Sequence, residues 1–118
     1  MELTHYEGSC QCGAVQYEVD LSLEHTITCN CSRCQRMGFV LGFAAPENFH
    51  LKSGEEKLTE YLFNNKVIRH LFCSICGVES FGYASMPDGT PAVGVNANCL
   101  TGVDPRKLES QHLDGKNF

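Results

Sequence analysis

Cysteine constrains this chain more than any other residue type, because there are eight in 118 residues and seven of them lie in short clusters. Two clusters are pairs followed directly by glycine, and the third contains three cysteines within six residues. The pairs are Cys10 with Cys12 and Cys73 with Cys76, and the trio is Cys29, Cys31 and Cys34. Such spacing is typical of metal ligands or redox thiols. The eighth cysteine, Cys99, stands apart.

The N-terminal segment bears on whether these cysteines form disulfides. Residues 1–7 contain neither the basic nor the apolar stretch of a secretory signal. The longest nearly uncharged stretch, residues 37–46, is too short to span a bilayer. We therefore expect a cytoplasmic protein with no membrane partner, in which cysteines serve as metal ligands or redox groups. A disulfide framework is the alternative, and it would require a secreted protein.

Length and charge limit the remaining possibilities. A chain of 118 residues with 42% hydrophobic and 19% charged residues is expected to fold as one globular domain over residues 1–118. Its formal net charge of -5 makes it a poor ligand for a phosphate backbone. We therefore expect no nucleic-acid partner.

The secondary-structure signal is mostly strand. Residues 14–20 alternate between apolar and polar side chains, with Val15, Tyr17 and Val19 on one face. Further strands are predicted at residues 25–30, 39–44, 49–52, 57–63, 67–73, 80–84 and 92–97. Turns are predicted at Ser53-Gly54, at Asn64-Asn65, where a hairpin is expected, and at residues 87–89.

Helical signals are few and short. Asp104 before Pro105 predicts one or two turns over residues 105–109. Ser32 is the predicted cap of a single turn that ends at Gly38. Strands without intervening helices indicate an all-β domain built of antiparallel sheets with short helical turns.

The two cysteine pairs form a matched set, which we name the four-cysteine cluster. Each pair can bind one ion from a tight turn, and the glycines that follow, Gly13 and Gly77, suit the positive φ needed there. Brought together, the two pairs would provide a closed tetrahedral Zn²⁺ site of four thiolates. Such a site would staple distant parts of the chain and add on the order of 10 kcal/mol to folding. Unliganded core cysteines are the alternative.

The trio, which we name the three-cysteine group, differs because it leaves one tetrahedral position without an evident protein ligand. An open position is typical of a site for chemistry, and thiolate ligands favour activation of a soft substrate thiol. Arg33 and Arg36 could moderate the negative charge or attract an anion. A helical turn capped by Ser32 would favour thiolate at Cys34.

Other interpretations of the three-cysteine group remain open. Cys99 or a histidine could complete a second closed structural zinc site. Residues 31–34 also form a C-x-x-C redox motif, although the βαβ setting usual for it is missing. An iron–sulfur cluster would need four ligands at a different spacing. Cys99 itself is most simply a small buried residue. His70, three residues before Cys73, is interpreted as a packed or exposed imidazole, with support of a metal ligand as the alternative.

The three clusters, in this order, resemble those of the glutathione-dependent formaldehyde-activating enzymes, which share a domain with centromere protein V. The resemblance rests on three motifs and the tail: residues 8–15, 29–36, 72–77 and 112–118. Asn30 stands where many members have histidine, Gln35-Arg36 where many have two arginines, and Phe118 where many end in tryptophan.

The resemblance implies a β-tent fold with a structural zinc in the four-cysteine cluster and an exchangeable zinc in the three-cysteine group. It implies that Cys29, Cys31 and Cys34 form the catalytic site, where a small thiol such as glutathione binds and attacks formaldehyde. The implied activity is that of a carbon–sulfur lyase, S-(hydroxymethyl)glutathione synthase. The alternatives are a non-catalytic β binding module with two structural metals and a relative of methionine sulfoxide reductase with Cys99 as nucleophile.

Overall fold

Ten short strands and one helix make up most of the computed structural model, which describes residues 2–62 and 68–117. The strands are β1 (Thr4–Ser9), β2 (Gln16–Leu21), β3 (Thr26–Cys29), β4 (Leu41–Ala44), β5 (Phe49–Ser53), β6 (Leu58–Tyr61), β7 (Arg69–Cys73), β8 (Phe81–Ser85), β9 (Pro91–Asn96) and β10 (Ser110–Leu113). The helix is α1 (Ser32–Met37). Short 3-10 turns cover Pro46–Asn48, Glu55–Lys57, Ala97–Cys99, Pro105–Lys107 and Gly115–Asn117.

The strands form two sheets. A three-stranded sheet has the order β1-β2-β5, and a seven-stranded sheet has the order β10-β3-β4-β9-β8-β7-β6. The pairings are antiparallel except that β10 lies parallel to β3. The predicted all-β fold of antiparallel sheets with short helical turns is confirmed. None of the helices in the described part of the chain has the length and hydropathy needed to span a membrane.

The core lies where the two sheets face each other. The alternation predicted for β2 is confirmed, because Tyr17, Val19 and Leu21 are buried. The Tyr17 ring packs against Phe49 and Phe81, with ring centroids 4.9 Å and 5.5 Å away. Its hydroxyl donates a hydrogen bond of 3.0 Å to the carbonyl of Ser80. This aromatic cluster joins β2 and β5 of one sheet to β8 of the other.

Two strands were not predicted, and both lie at the edges of their sheets. β1 and β10 have mostly exposed, polar side chains, so they lack the alternation that marks a half-buried strand. β10 pairs with β3 at one edge of the seven-stranded sheet, and the two strands run in the same direction. The parallel pair is a departure from the antiparallel arrangement expected.

Both predicted helical turns are present, although not in every detail, and four further 3-10 turns in the described residues were not predicted. Asp104 accepts a hydrogen bond from the Arg106 N–H and begins the turn Pro105–Lys107. The prediction of Ser32 as the cap of α1 is wrong: the cap is Cys31, whose Sγ accepts from the backbone N–H of Cys34. The Asn64-Asn65 turn lies outside the described residues, although the flanking strands β6 and β7 pair antiparallel as expected.

Candidate metal centre

The four-cysteine cluster joins the two sheets. Cys10 follows β1 of the smaller sheet, and Cys73 ends β7 of the larger one. The glycine after each pair has the predicted positive φ, +85° at Gly13 and +80° at Gly77, which lets the tight turn close behind the second cysteine. The two pairs, which are far apart in sequence, are brought together because one sheet packs on the other.

The geometry of the four-cysteine cluster fits a tetrahedral ion. All four Sγ atoms lie within 4.8 Å of one another, and those of Cys12 and Cys10, and of Cys12 and Cys73, are 3.7 Å apart. A zinc ion with ligands at about 2.3 Å requires sulfur–sulfur edges of about 3.8 Å. The donor set and the spacing are therefore those of a closed four-thiolate metal site.

Backbone N–H groups point at the sulfurs of this cluster. The N–H of Val15 donates to Sγ of Cys10 at 3.3 Å, and the N–H of Ile75 donates to Sγ of Cys73 at 3.4 Å. Burial opposes ionisation of Cys76, but backbone N–H groups outweigh it and lower its pKa to about 6. A backbone hydrogen bond lowers the pKa of Cys12, but burial and the neighbouring cysteines outweigh it and raise that pKa to about 11. Thiolate, the form that binds metal, is thus favoured at Cys76 and not at Cys12.

The three-cysteine group sits where β3 passes into α1. Cys29 ends the strand, Cys31 caps the helix and Cys34 lies in its first turn. Their three Sγ atoms lie within 4.8 Å of one another, and all three side chains are partly exposed. Within residues 2–62 and 68–117, no histidine, cysteine, aspartate or glutamate joins the group as a fourth potential ligand. The group therefore offers three thiols to a metal and leaves one tetrahedral position to another donor.

Local hydrogen bonds also favour thiolate in the three-cysteine group. The N–H of Cys31 donates to Sγ of Cys29 at 3.4 Å, and the N–H of Cys34 donates to Sγ of Cys31 at 3.2 Å. Burial opposes ionisation of Cys31, but hydrogen bonds from the Cys34 thiol and backbone lower its pKa. Burial and the neighbouring Cys31 raise the pKa of Cys34. The expectation that the helical turn favours thiolate at Cys34 is therefore wrong, whereas thiolate is favoured at Cys31.

The C-terminal segment covers one side of the three-cysteine group. Asn30 donates to Oδ1 of Asp114 at 2.8 Å and accepts from the N–H of Lys116 at 3.1 Å. Gly115, held between these contacts, lies so close to Cys29 that a Cβ on Gly115 would collide with its Sγ. Asn30, which replaces the histidine common in the resembling family, thus fastens the tail to the cysteine loop.

The two arginines of the loop have different surroundings. Arg33 donates to Oε1 of the buried Glu79, with Nη2 at 2.8 Å, whereas the exposed Arg36 donates to the backbone carbonyl of Ser32 at 2.9 Å. Glu79 in turn contacts Nδ1 of the buried His70 at 2.8 Å. Of the interpretations left open for His70, the structure shows the packed imidazole. Sequence reasoning missed Glu79, which no local motif marks.

Cys99 lies outside both groups. It ends the 3-10 turn Ala97–Cys99, and burial raises the pKa of its thiol to about 11. It lines a cavity of about 540 Å³ together with Cys76 and Met37, and the three-cysteine group does not contribute to the wall. All eight cysteines are free thiols, so the structure gives no support to a disulfide framework.

Comparisons with known proteins identify the family of this chain. The model of the family described as glutathione-dependent formaldehyde-activating enzyme matches residues 5–112. The crystal structure of a Rhodobacter sphaeroides protein is similar to this one, with a TM-score of 0.80 and 33% sequence identity. The similarity covers 91% of this chain and 98% of that one. On the match of the family model to most of its length, the chain belongs to the family of glutathione-dependent formaldehyde-activating enzymes.

Proposed function

We propose that this protein is a zinc-dependent enzyme of the carbon–sulfur lyase type, which joins a small thiol, glutathione, to formaldehyde as S-(hydroxymethyl)glutathione. In this proposal, Cys10, Cys12, Cys73 and Cys76 hold a structural Zn²⁺, and Cys29, Cys31 and Cys34 hold a second, exchangeable Zn²⁺. The observation that carries the proposal is the difference between the two groups: four thiols surround one position, while three partly exposed thiols surround the other.

The reaction needs a thiolate and a confined aldehyde. The glutathione sulfur adds to the carbonyl carbon of formaldehyde, which forms one carbon–sulfur bond, and the resulting alkoxide takes up a proton from water. A zinc ion in the three-cysteine group would supply a Lewis acid that keeps a bound substrate thiol deprotonated. Holding the two reactants together adds the advantage of proximity.

The residues around the three-cysteine group support a role in binding an anionic thiol. Three thiolates carry more negative charge than one divalent ion neutralises. A cation close by therefore favours metal binding at the group and also favours binding of an anionic substrate. Arg33 is paired with Glu79, but Arg36 and Lys116 are exposed on the segments that flank the group. Glutathione is an anion at neutral pH, so these two side chains are the candidate contacts for its carboxylates.

The proposal is tested by zinc content and by NMR exchange spectroscopy of a glutathione–formaldehyde mixture. Wild-type protein is expected to bind two zinc ions per chain and to accelerate exchange between free and hydroxymethylated glutathione. Cys31→Ser is expected to bind one zinc ion and to lose the acceleration. Cys99→Ser is the matched control, because Cys99 lies outside both groups.

Other outcomes would identify the alternatives. Two tightly held zinc ions with no change in exchange rate would indicate a binding module with two structural metals, and would end the enzymatic proposal. Thiol-dependent reduction of methionine sulfoxide that Cys99→Ser abolishes would indicate a reductase. The pKa of about 11 at Cys99 counts against that role, because the reactive form of a cysteine is the thiolate.

A further inference from the structure

A buried carboxylate links the two cysteine groups. Glu79 is 7% exposed in its side chain, and it meets a partner on each oxygen. Oε1 accepts from Nε and Nη2 of Arg33, at 3.2 Å and 2.8 Å, and Oε2 accepts from Nδ1 of His70, at 2.8 Å. The Arg33 contact uses two nitrogens of one guanidinium, which fixes its orientation as well as its distance.

One end of this link is attached to the four-cysteine cluster. Glu79 comes three residues after Cys76, and the carbonyl of the preceding Val78 accepts from the N–H of Cys73 at 3.0 Å. The carbonyl of Glu79 accepts from Nδ2 of Asn96 at 3.0 Å. A hydrogen bond on each side of the peptide therefore holds the Glu79 backbone against both the cluster and β9.

The other end is attached to the three-cysteine group. Arg33 lies between Cys31 and Cys34 on α1, and its side chain is 19% exposed. Its guanidinium also stacks on the ring of Tyr61, 4.7 Å from the centroid. The helix α1 has only six residues and buries none of them fully, and Arg33 attaches it to Glu79 and to Tyr61 of β6.

We propose that Glu79 is a positioning residue that holds the loop of the three-cysteine group, through Arg33, in the arrangement that keeps its metal. This inference rests on the proposed function, because it requires a metal in that group. Desolvation offsets the attraction within a buried ion pair, so the pair adds little net stability. Its directed hydrogen bonds nevertheless fix the orientation of the two side chains. Arg33 is accordingly engaged in structure and does not bind substrate.

The closing experiment measures zinc release from the intact protein to a chromogenic chelator, which resolves a fast phase from the three-cysteine group and a slow phase from the four-cysteine cluster. Glu79→Gln keeps the size of the side chain and removes its charge. Removing such a supporting contact is expected to raise the rate of the fast phase by about 10-fold to 100-fold and leave the slow phase unchanged. Arg33→Gln, at a less buried position, is expected to do the same.

Two further measurements separate positioning from a general loss of stability. Glu60→Gln removes a similar but exposed pair, Nε of Arg69 with Oε1 of Glu60 at 2.6 Å, and is expected to leave both phases unchanged. In cobalt-loaded protein, Glu79→Gln is expected to change only the visible absorption of the ion in the three-cysteine group. Glu79→Asp, which restores the charge, is expected to return the rate of the fast phase part of the way to its wild-type value.

The outcomes distinguish this inference from the proposed function. If wild-type protein binds a single zinc ion, both are wrong. If it binds two, and Glu79→Gln and Arg33→Gln both release the second at the wild-type rate, the positioning role alone is wrong. Equal acceleration of both phases in these variants would also overturn it, because the ion pair would then stabilise the whole fold.

Discussion

Gly115 provides a sharp test of how the tail meets the three-cysteine group. A Cβ at this position would collide with Sγ of Cys29 and would lie 3.5 Å from Cβ of Cys31. Gly115→Ala must therefore displace either the tail or the thiol. Overpacking of this kind costs about 1–3 kcal/mol. If that cost falls on the metal-bound arrangement, zinc affinity of the group falls by about 5-fold to 150-fold.

The displacement is resisted from both sides. The tail is fastened by the two hydrogen bonds of Asn30 and by the parallel pairing of β10 with β3, and Cys29 is fixed at the end of β3. Competition with a zinc indicator of known affinity measures the second zinc ion in Gly115→Ala and wild type. Gly94→Ala is the control, because its Cβ would meet Phe43 at an ordinary 3.6 Å. Wild-type affinity in Gly115→Ala would refute the close contact between tail and thiol.

The remaining predictions concern the cluster, the core and the isolated thiol. Cys73→Ser is expected to bind no zinc in the four-cysteine cluster and to lose cooperative thermal unfolding by circular dichroism, because the buried Cys73 joins two sheets. Tyr17→Phe is expected to lower the urea-derived free energy of unfolding by about 0.5–1.5 kcal/mol, since the Ser80 carbonyl keeps a second donor, the N–H of Asn96. Cys99 has a pKa raised from 9.0 to about 11, so at neutral pH its thiolate fraction is about 100-fold lower. At neutral pH, the rate of Cys99 alkylation, followed by mass spectrometry, is expected to be lower by that factor than the rate for an ordinary thiol. The rate is expected to increase with pH up to about pH 11, and rapid labelling at pH 7 would contradict the effect of burial.

The parts of the site that could be predicted from the sequence are those whose determinants are close together in the chain. The spacing of each cysteine pair and the glycine behind it describe a turn of a few residues, and the turns at Gly13 and Gly77 have the backbone expected. The alternation around Tyr17 likewise reports burial on one face of a single strand. In each case, the physical cause acts over a short range, so a short pattern is enough.

The parts that could not be predicted depend on partners far along the chain. Glu79 meets Arg33 across 46 positions, and Asn30 meets Asp114 across 84. Glutamate is usually exposed, so nothing local marks one that is buried between two partners. The wrong cap of α1 has a different cause: Ser32 is the commoner capping residue, but the thiol of Cys31, one position earlier, accepts the hydrogen bond instead.

The pairing of β10 with β3 has a consequence for the order in which the molecule assembles. During synthesis, the ligands of the four-cysteine cluster are all present once Cys76 has emerged. The three-cysteine group is made earlier, but its cover, held by Asn30, lies 84 positions later. Its thiols therefore stay uncovered on that side, open to metal ions and oxidants, while these positions are synthesised, and the group takes its mature shape only after β10 has joined β3.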